Sequence, residues 1–254
     1  MGDVRLRSAF VLPAALLLAS CGHSQPPPAE APSAEPAQEP TSTQPAQPAA
    51  PDAASHMRAS FWSAILARDA LIEGDLKEAK RLSNELSEQS FGALPGDWSR
   101  EVGEMQQHAA SAAMAADHQE AAGAIARVAV ACGRCHARKG ADSGRVIFAT
   151  APTRDPEPVQ ARMARHESAA DDLWVGLVAP SADAWKQGAI TLRDLSPQPP
   201  VQGQEPVDEA FSAQLHQIKA LGLKALSATT VEAQAQIYGD YLSRCAGCHA
   251  ITAR

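Results

Sequence analysis

The chain has 254 residues and a formal net charge of −7 at pH 7. Because an acidic protein is repelled by the phosphate backbone, this charge argues against nucleic acid as a partner. Hydrophobic residues make up 45% of the chain but aromatic residues only 4%. A core built from these residues alone would therefore contain few large side chains.

The first twenty residues are typical of a secretory signal. Two arginines precede a short apolar run, residues 9–19, which is too short to form a permanent transmembrane helix. The run ends in Leu-Ala-Ser-Cys-Gly at residues 18–22, which resembles a bacterial lipobox; the alternative is an ordinary signal with a chance cysteine. The resemblance implies cleavage before Cys21, lipid attachment to Cys21 and a periplasmic protein anchored to a membrane, with the outer membrane favoured.

A proline-rich and alanine-rich segment follows the signal. Nine of the nineteen prolines lie within residues 22–55, and almost no side chain there is suited to a core. Burial of apolar surface cannot offset the entropy cost of ordering such a segment. We therefore expect residues 21–55 to be a lipid anchor and a disordered tether that holds the folded part away from the membrane.

From residue 56 onward the sequence reads as two copies of one helical repeat. A shift of 106 residues aligns Met57 with Met163 and Ile72 with Val178. A shift of 113 residues aligns two Cys-x-x-Cys-His motifs, one near the end of each copy. This order of shared features indicates a duplication.

Hydrophobic periodicity predicts an all-α protein, with no strand pattern in either copy. We predict two tandem four-helix bundles, residues 56–140 and 159–254, joined by a linker at 141–158. The predicted helices span residues 57–73, 76–90, 98–116 and 118–138 in the first copy, and 161–179, 182–195, 207–227 and 230–251 in the second. Residues that suit helix N-caps precede four of these helices: Asp75, Asp117, Ser181 and Thr229.

The two motifs indicate covalent haem attachment. Four of the five cysteines belong to them: Cys132, Cys135 and His136 form the first motif, and Cys245, Cys248 and His249 form the second. Two thiols at this spacing reach the vinyl groups of one haem, and the adjacent histidine supplies the proximal iron ligand. A thioredoxin-like pair would need a βαβ context, and a zinc ribbon would bring its second motif within about 20 residues. Short disulfides would leave both histidines without a role. The sequence therefore predicts two haem c groups per chain.

Each copy resembles the cytochrome c prime and cytochrome c-556 group, on residues 131–136 and 244–249 at the end of a last helix. In that group an antiparallel four-helix bundle holds the haem, and the first helix faces the other side of the iron. The resemblance implies that Met57 and Met163, at matched positions of the two first helices, are candidate distal ligands. His166 is an alternative distal ligand in the second copy, where the first copy has Ser60. Both methionines could instead be core residues.

We expect an electron carrier with redox proteins as partners. The alternative is a haem protein that binds or senses a small gas, NO or CO, at five-coordinate iron. We do not expect an enzyme, because no acid–base residues of a distal pocket are recognisable. Tyr238 and Tyr241 precede Cys245 at helical spacing and are expected to face the haem or its edge, where we interpret them as packing residues.

Overall fold

The computed structural model describes residues 53–92, 94, 98–140, 158–195 and 209–252. Within these ranges the chain forms helices and no strand, so the all-α prediction is confirmed. The helices are α1 (Ala53–Ile72), α2 (Leu76–Glu88), α3 (Ser99–Ala113), α4 (His118–Lys139), α5 (Pro158–Val178), α6 (Ala182–Arg193), α7 (Glu209–Ser227) and α8 (Val231–Thr252). The predicted signal peptide, Cys21, most of the tether and most of the linker lie outside the described residues.

Local capping explains where several helices begin. The side chains of Asp75 and Asp117 accept hydrogen bonds from the backbone N–H groups three residues later, both at 2.9 Å, and Ser181 does the same at 3.2 Å. The predicted cap at Thr229 was wrong. Thr230 accepts the bond from the Ala233 N–H at 3.2 Å, because α8 begins at residue 231 and Thr230 directly precedes it.

Three helix boundaries lie next to the predicted tether and linker. Helix α1 begins at residue 53, four residues before its predicted start. Helix α4 ends at Lys139 and is followed by the C-cap Gly140, which has a φ of +59° in the left-handed region that glycine adopts without a steric cost. Helix α5 begins at residue 158.

Helices of both repeats pack into one compact unit, residues 50–254. Helices α1 to α4 pack in sequence, α5 to α8 do the same, and α8 also lies against α4 and α1, while α5 lies against α4. At the contact between α4 and α8, a Cβ atom on Gly239 would lie 3.0 Å from the Cα of Gly123. Glycine therefore permits this close approach of the two helices that carry the Cys-x-x-Cys-His motifs.

The core combines many small residues with a few large ones. Most residues of α4 that are buried are alanine or valine, which let neighbouring helices approach closely. The largest fully buried side chains, Trp174, Tyr238 and Tyr241, belong to the second repeat. None of the helices in the described part combines the length and apolar character needed to cross a membrane.

Candidate haem-binding sites

The first motif lines a small cavity together with its predicted distal residue. Cys132, Cys135 and His136, on the last two turns of α4, share this cavity with Met57 from α1. The cavity has a volume of about 40 Å³. Its remaining walls come mainly from α1 and α3, and Val178 of the second repeat completes them. The residues that the sequence nominated for the first site are thus brought together.

The imidazole of His136 is held by a backbone carbonyl from the other repeat. Its Nδ1 donates a hydrogen bond to the Val178 oxygen, the last residue of α5, at 2.7 Å. A carbonyl can only accept, so this bond requires the proton on Nδ1, and in the neutral imidazole the lone pair is then on Nε2. Histidines that bind metals are oriented in the same way, by donating their other ring N–H to a carbonyl or carboxylate.

The second motif lines a larger cavity of about 250 Å³. Cys245, Cys248 and His249 share it with both candidate distal residues, Met163 and His166. The hydroxyl group of Tyr241, which also lines this cavity, donates a 2.7 Å hydrogen bond to the His166 carbonyl oxygen. This bond ties α8, which carries the motif, to α5, which carries the two distal candidates.

The walls of the two cavities are built from matched positions of the repeat. The 113-residue shift that aligns the motifs also aligns three residues of α3 with three of α7: Glu101 with Gln214, Val102 with Leu215, and Met105 with Ile218. The 106-residue shift aligns Ile72 with Val178, and each of these lines the cavity of the opposite repeat. Helices α1 and α5 therefore contribute to both sites in a reciprocal way.

The four cysteines of the motifs are unlike redox-active thiols. They form no disulfide with one another. Burial raises the pKa of Cys132 and of Cys245 to about 12, and it also raises the pKa of Cys135 and Cys248. A thioredoxin-type pair needs one thiol with a lowered pKa, so the surroundings disfavour disulfide exchange. Within the described ranges, no three His, Cys, Asp or Glu side chains lie close enough to form a metal-ion site by themselves.

The two tyrosines of α8 have different surroundings. Tyr241 lines the second cavity, as expected. Tyr238 packs against Trp174, with ring centroids 6.1 Å apart, and does not line the cavity. It lies a further turn from Cys245 along α8, where the neighbouring α5 covers it.

Several residues of the sites had not been nominated from the sequence. Met105 lines the first cavity beside Met57, and Glu101 and Gln214 line the two cavities at matched positions. The 113-residue shift aligns Glu101 with Gln214, so the repeat alone could have identified them as a matched pair. Arg68, from the first repeat, lines the second cavity, and no local pattern in the sequence predicts that.

No model of a known protein family matches the chain, and no curated protein or solved structure matches it either. What the two cavities bind is therefore inferred from their residues alone.

Proposed function

We propose that the chain is a di-haem c-type cytochrome that carries electrons. One haem would be attached through Cys132 and Cys135, with His136 as proximal ligand, and the other through Cys245, Cys248 and His249. The observation that carries the proposal is that each motif shares a cavity with a methionine at the matched position of the repeat. The bound haem would supply one-electron chemistry at its iron.

The residues of both cavities suit this group. Each cavity offers two thiols, an imidazole and mainly apolar walls, and His136 is already oriented with Nε2 available. The first cavity is small, but flexible side chains, Met57 and Met105, form part of its wall and can rearrange around a larger group. Burial of a large apolar cofactor would also compensate for the scarcity of aromatic residues in the chain.

The arrangement of helices supports electron transfer between the two sites. The motif-bearing helices α4 and α8 pack against each other within one compact unit. In the proposed architecture, α1 to α4 and α5 to α8 are two tandem four-helix bundles of the kind found in the cytochrome c prime and c-556 group. They would be joined by contacts that let electrons pass between the haems without a partner protein.

The proposal includes a location. Residues 1–20 would be removed, and Cys21 would carry the lipid that anchors the protein in the bacterial periplasm, with the outer membrane favoured. The segment that follows would act as a tether, and periplasmic redox proteins would be the partners. The lipobox-like sequence at residues 18–22 supports this part.

The purified protein is expected to contain two covalently attached haems. Mass spectrometry should find the mass of two haems on the chain, and the four motif cysteines should not react with maleimide after denaturation. The double variant Cys132→Ser/Cys135→Ser should retain one haem. Recovery of a single haem from the native chain, or extraction of haem by acid-acetone, would contradict the proposal.

The two matched methionines are expected to be the distal ligands. Met57→Ala and Met163→Ala should each convert one haem from low spin to high spin and open it to carbon monoxide, because the iron loses its sixth ligand. The oxidised wild-type protein should show the weak near-infrared band of a sulfur–iron bond. Met105→Ala is the matched control, since Met105 lines the first cavity from another helix and should leave both haems in low spin.

Other outcomes of this experiment assign the ligands differently. If Met163→Ala leaves the second haem in low spin and His166→Ala opens it, His166 is the ligand of that haem. If Met105→Ala opens the first haem, Met105 of α3, and not Met57, is the distal ligand of that haem. A wild-type protein with high-spin iron at both sites would contradict the carrier proposal and favour binding of a small gas.

A further inference from the structure

The two cavities differ in charge at one matched position. Glu101 of α3 and Gln214 of α7 occupy equivalent places in the two cavity walls. Each has a buried side-chain oxygen, Oε2 of Glu101 and Oε1 of Gln214, without a hydrogen-bond partner among the described residues. One of these oxygens belongs to a carboxylate and the other to a neutral amide.

The Glu101 carboxylate is largely shielded from water. Its side chain is only 3% exposed, and its Oε1 forms an ion pair with Arg138. The Arg138 side chain is 46% exposed, so water screens the cation more strongly than the carboxylate. A buried negative charge stabilises the more positive, ferric state of a nearby iron and lowers its reduction potential.

The buried cation at the second cavity belongs to an ion-pair cluster. Gln214 is neutral, and the buried ionised side chain of this wall is Arg68, which is 3% exposed. Asp69 and Asp171 form ion pairs with Arg68 at 2.7 and 2.8 Å. These carboxylates outnumber the cation by one, but the Asp69 side chain is 43% exposed, so water screens its charge. The exposed carboxylates of Glu73 and Glu167 also line this cavity, where solvent screens them. The clearest difference in charge between the two cavity walls at a matched position is therefore the carboxylate of Glu101 against the neutral amide of Gln214.

We infer that the residue at this matched position splits the reduction potentials of the two haems. The inference rests on the proposed function. The first haem, beside Glu101, has the lower potential, and the second haem, beside Gln214, has the higher one. An electron that enters the chain then moves from the ferrous first iron, which becomes ferric, to the ferric second iron, which becomes ferrous. No proton and no further reactant is needed for this step.

The test exchanges the two residues in the full-length protein that carries both haems. Spectroscopic redox titration should show that Glu101→Gln raises the lower midpoint potential and leaves the higher one unchanged. Gln214→Glu should lower the higher midpoint potential. Each change should alter the equilibrium constant for electron exchange between the haems on the order of tenfold, the effect of one poorly screened charge.

Two further variants separate this effect from structural disturbance. Arg138→Gln removes the cation that offsets Glu101, so it should lower the first midpoint potential, opposite in direction to Glu101→Gln. A perturbation that merely loosened the ion pair would shift the potential in the same direction in both variants. Glu85→Gln removes an exposed carboxylate of α2 that pairs with Arg81, and this control should leave both potentials unchanged.

The outcomes distinguish this inference from the proposed function. If mass spectrometry finds fewer than two haems in the native chain, the proposed function fails. If both haems are present but their potentials do not respond to either exchange, or respond equally to Glu85→Gln, only the role of positions 101 and 214 is overturned.

Discussion

Substitution of Arg68 by methionine is expected to lower the free energy of unfolding by about 3–5 kcal/mol. The Arg68 guanidinium is buried, bridges Asp69 and Asp171, and lies over the Trp174 ring with 5.5 Å between its central carbon and the ring centroid. Burial already raises the pKa of Asp171, and the Arg68 charge counteracts that rise. Methionine fills much of the volume but leaves this half-buried carboxylate without its cation. Urea unfolding, followed by circular dichroism, measures the loss.

Two comparisons make this prediction specific. Arg81→Met removes an exposed arginine that pairs with Glu78 and Glu85 on the surface of α2, and exposed pairs contribute little to stability. The double variant Arg68→Met/Asp171→Asn should be less destabilised than the sum of its single changes, because it removes the uncompensated charge as well. Wild-type stability of Arg68→Met would show that the buried ion pair is not a structural link between α1 and α5.

Gly133→Ala is the second substitution with a large expected effect. Gly133 lies between the two cysteines of the first motif, and a Cβ atom there would clash with the Leu177 carbonyl oxygen. It would also lie 3.2 Å from the Leu177 carbonyl carbon and 3.4 Å from Cγ of Pro180. Helix α5 must then move away from α4, at a cost near the upper end of the range for overpacking, about 3 kcal/mol.

The same movement should reach the first of the two haems that we propose. The His136 bond to the Val178 oxygen spans this helix contact, so separation of α4 and α5 weakens the bond. A proximal histidine that donates a weaker hydrogen bond is less basic, and we expect the midpoint potential of the first haem to rise. Thermal unfolding and redox titration of the same variant test both effects.

Gly123→Ala is the matched control on the same helix. A Cβ atom on Gly123 would meet only the flexible Arg127 side chain, 3.6 Å away. Because alanine favours helix more than glycine does, stability should stay unchanged or rise by up to about 1 kcal/mol. Equal stability of the two variants would mean that α4 and α5 do not pack as closely as described.

Local features of the sequence were sufficient to predict the secondary structure. All eight helices lie where the periodicity indicated, and the largest shift of a boundary is at α1, which begins at residue 53 instead of 57. The caps at Asp75, Asp117 and Ser181 were recognised because a cap depends on residues three positions apart. The cap at Thr230 was missed by one residue, since adjacent threonines are equivalent in composition and only the helix boundary distinguishes them.

The repeat was also recognisable in the sequence, and it identified Met57 and Met163 as matched positions of the two first helices. Residues that a single shift aligns, 106 residues for the two methionines and 113 for the two motifs, occupy equivalent places when two copies share a fold. For this reason, each methionine lines the cavity of its own motif. The positions of Glu101 and Gln214 follow the same rule, and their difference in charge is evident from the sequence. Only the structure shows that a side-chain oxygen of each is buried.

The contacts between the repeats could be decided only by the tertiary structure. Neither the placement of Arg68 in the second cavity nor the bond from His136 to Val178 follows from a pattern along one helix. Periodicity identifies which face of a helix is apolar, but it does not identify the helix that covers that face. Here that partner depends on small residues, Gly133 at the contact of α4 with α5 and Gly239 at the contact of α8 with α4. The sequence by itself therefore determined the helices, the aligned positions of the repeat and the paired Cys-x-x-Cys-His motifs, whereas close packing of distant backbones determined how the two sites share their walls.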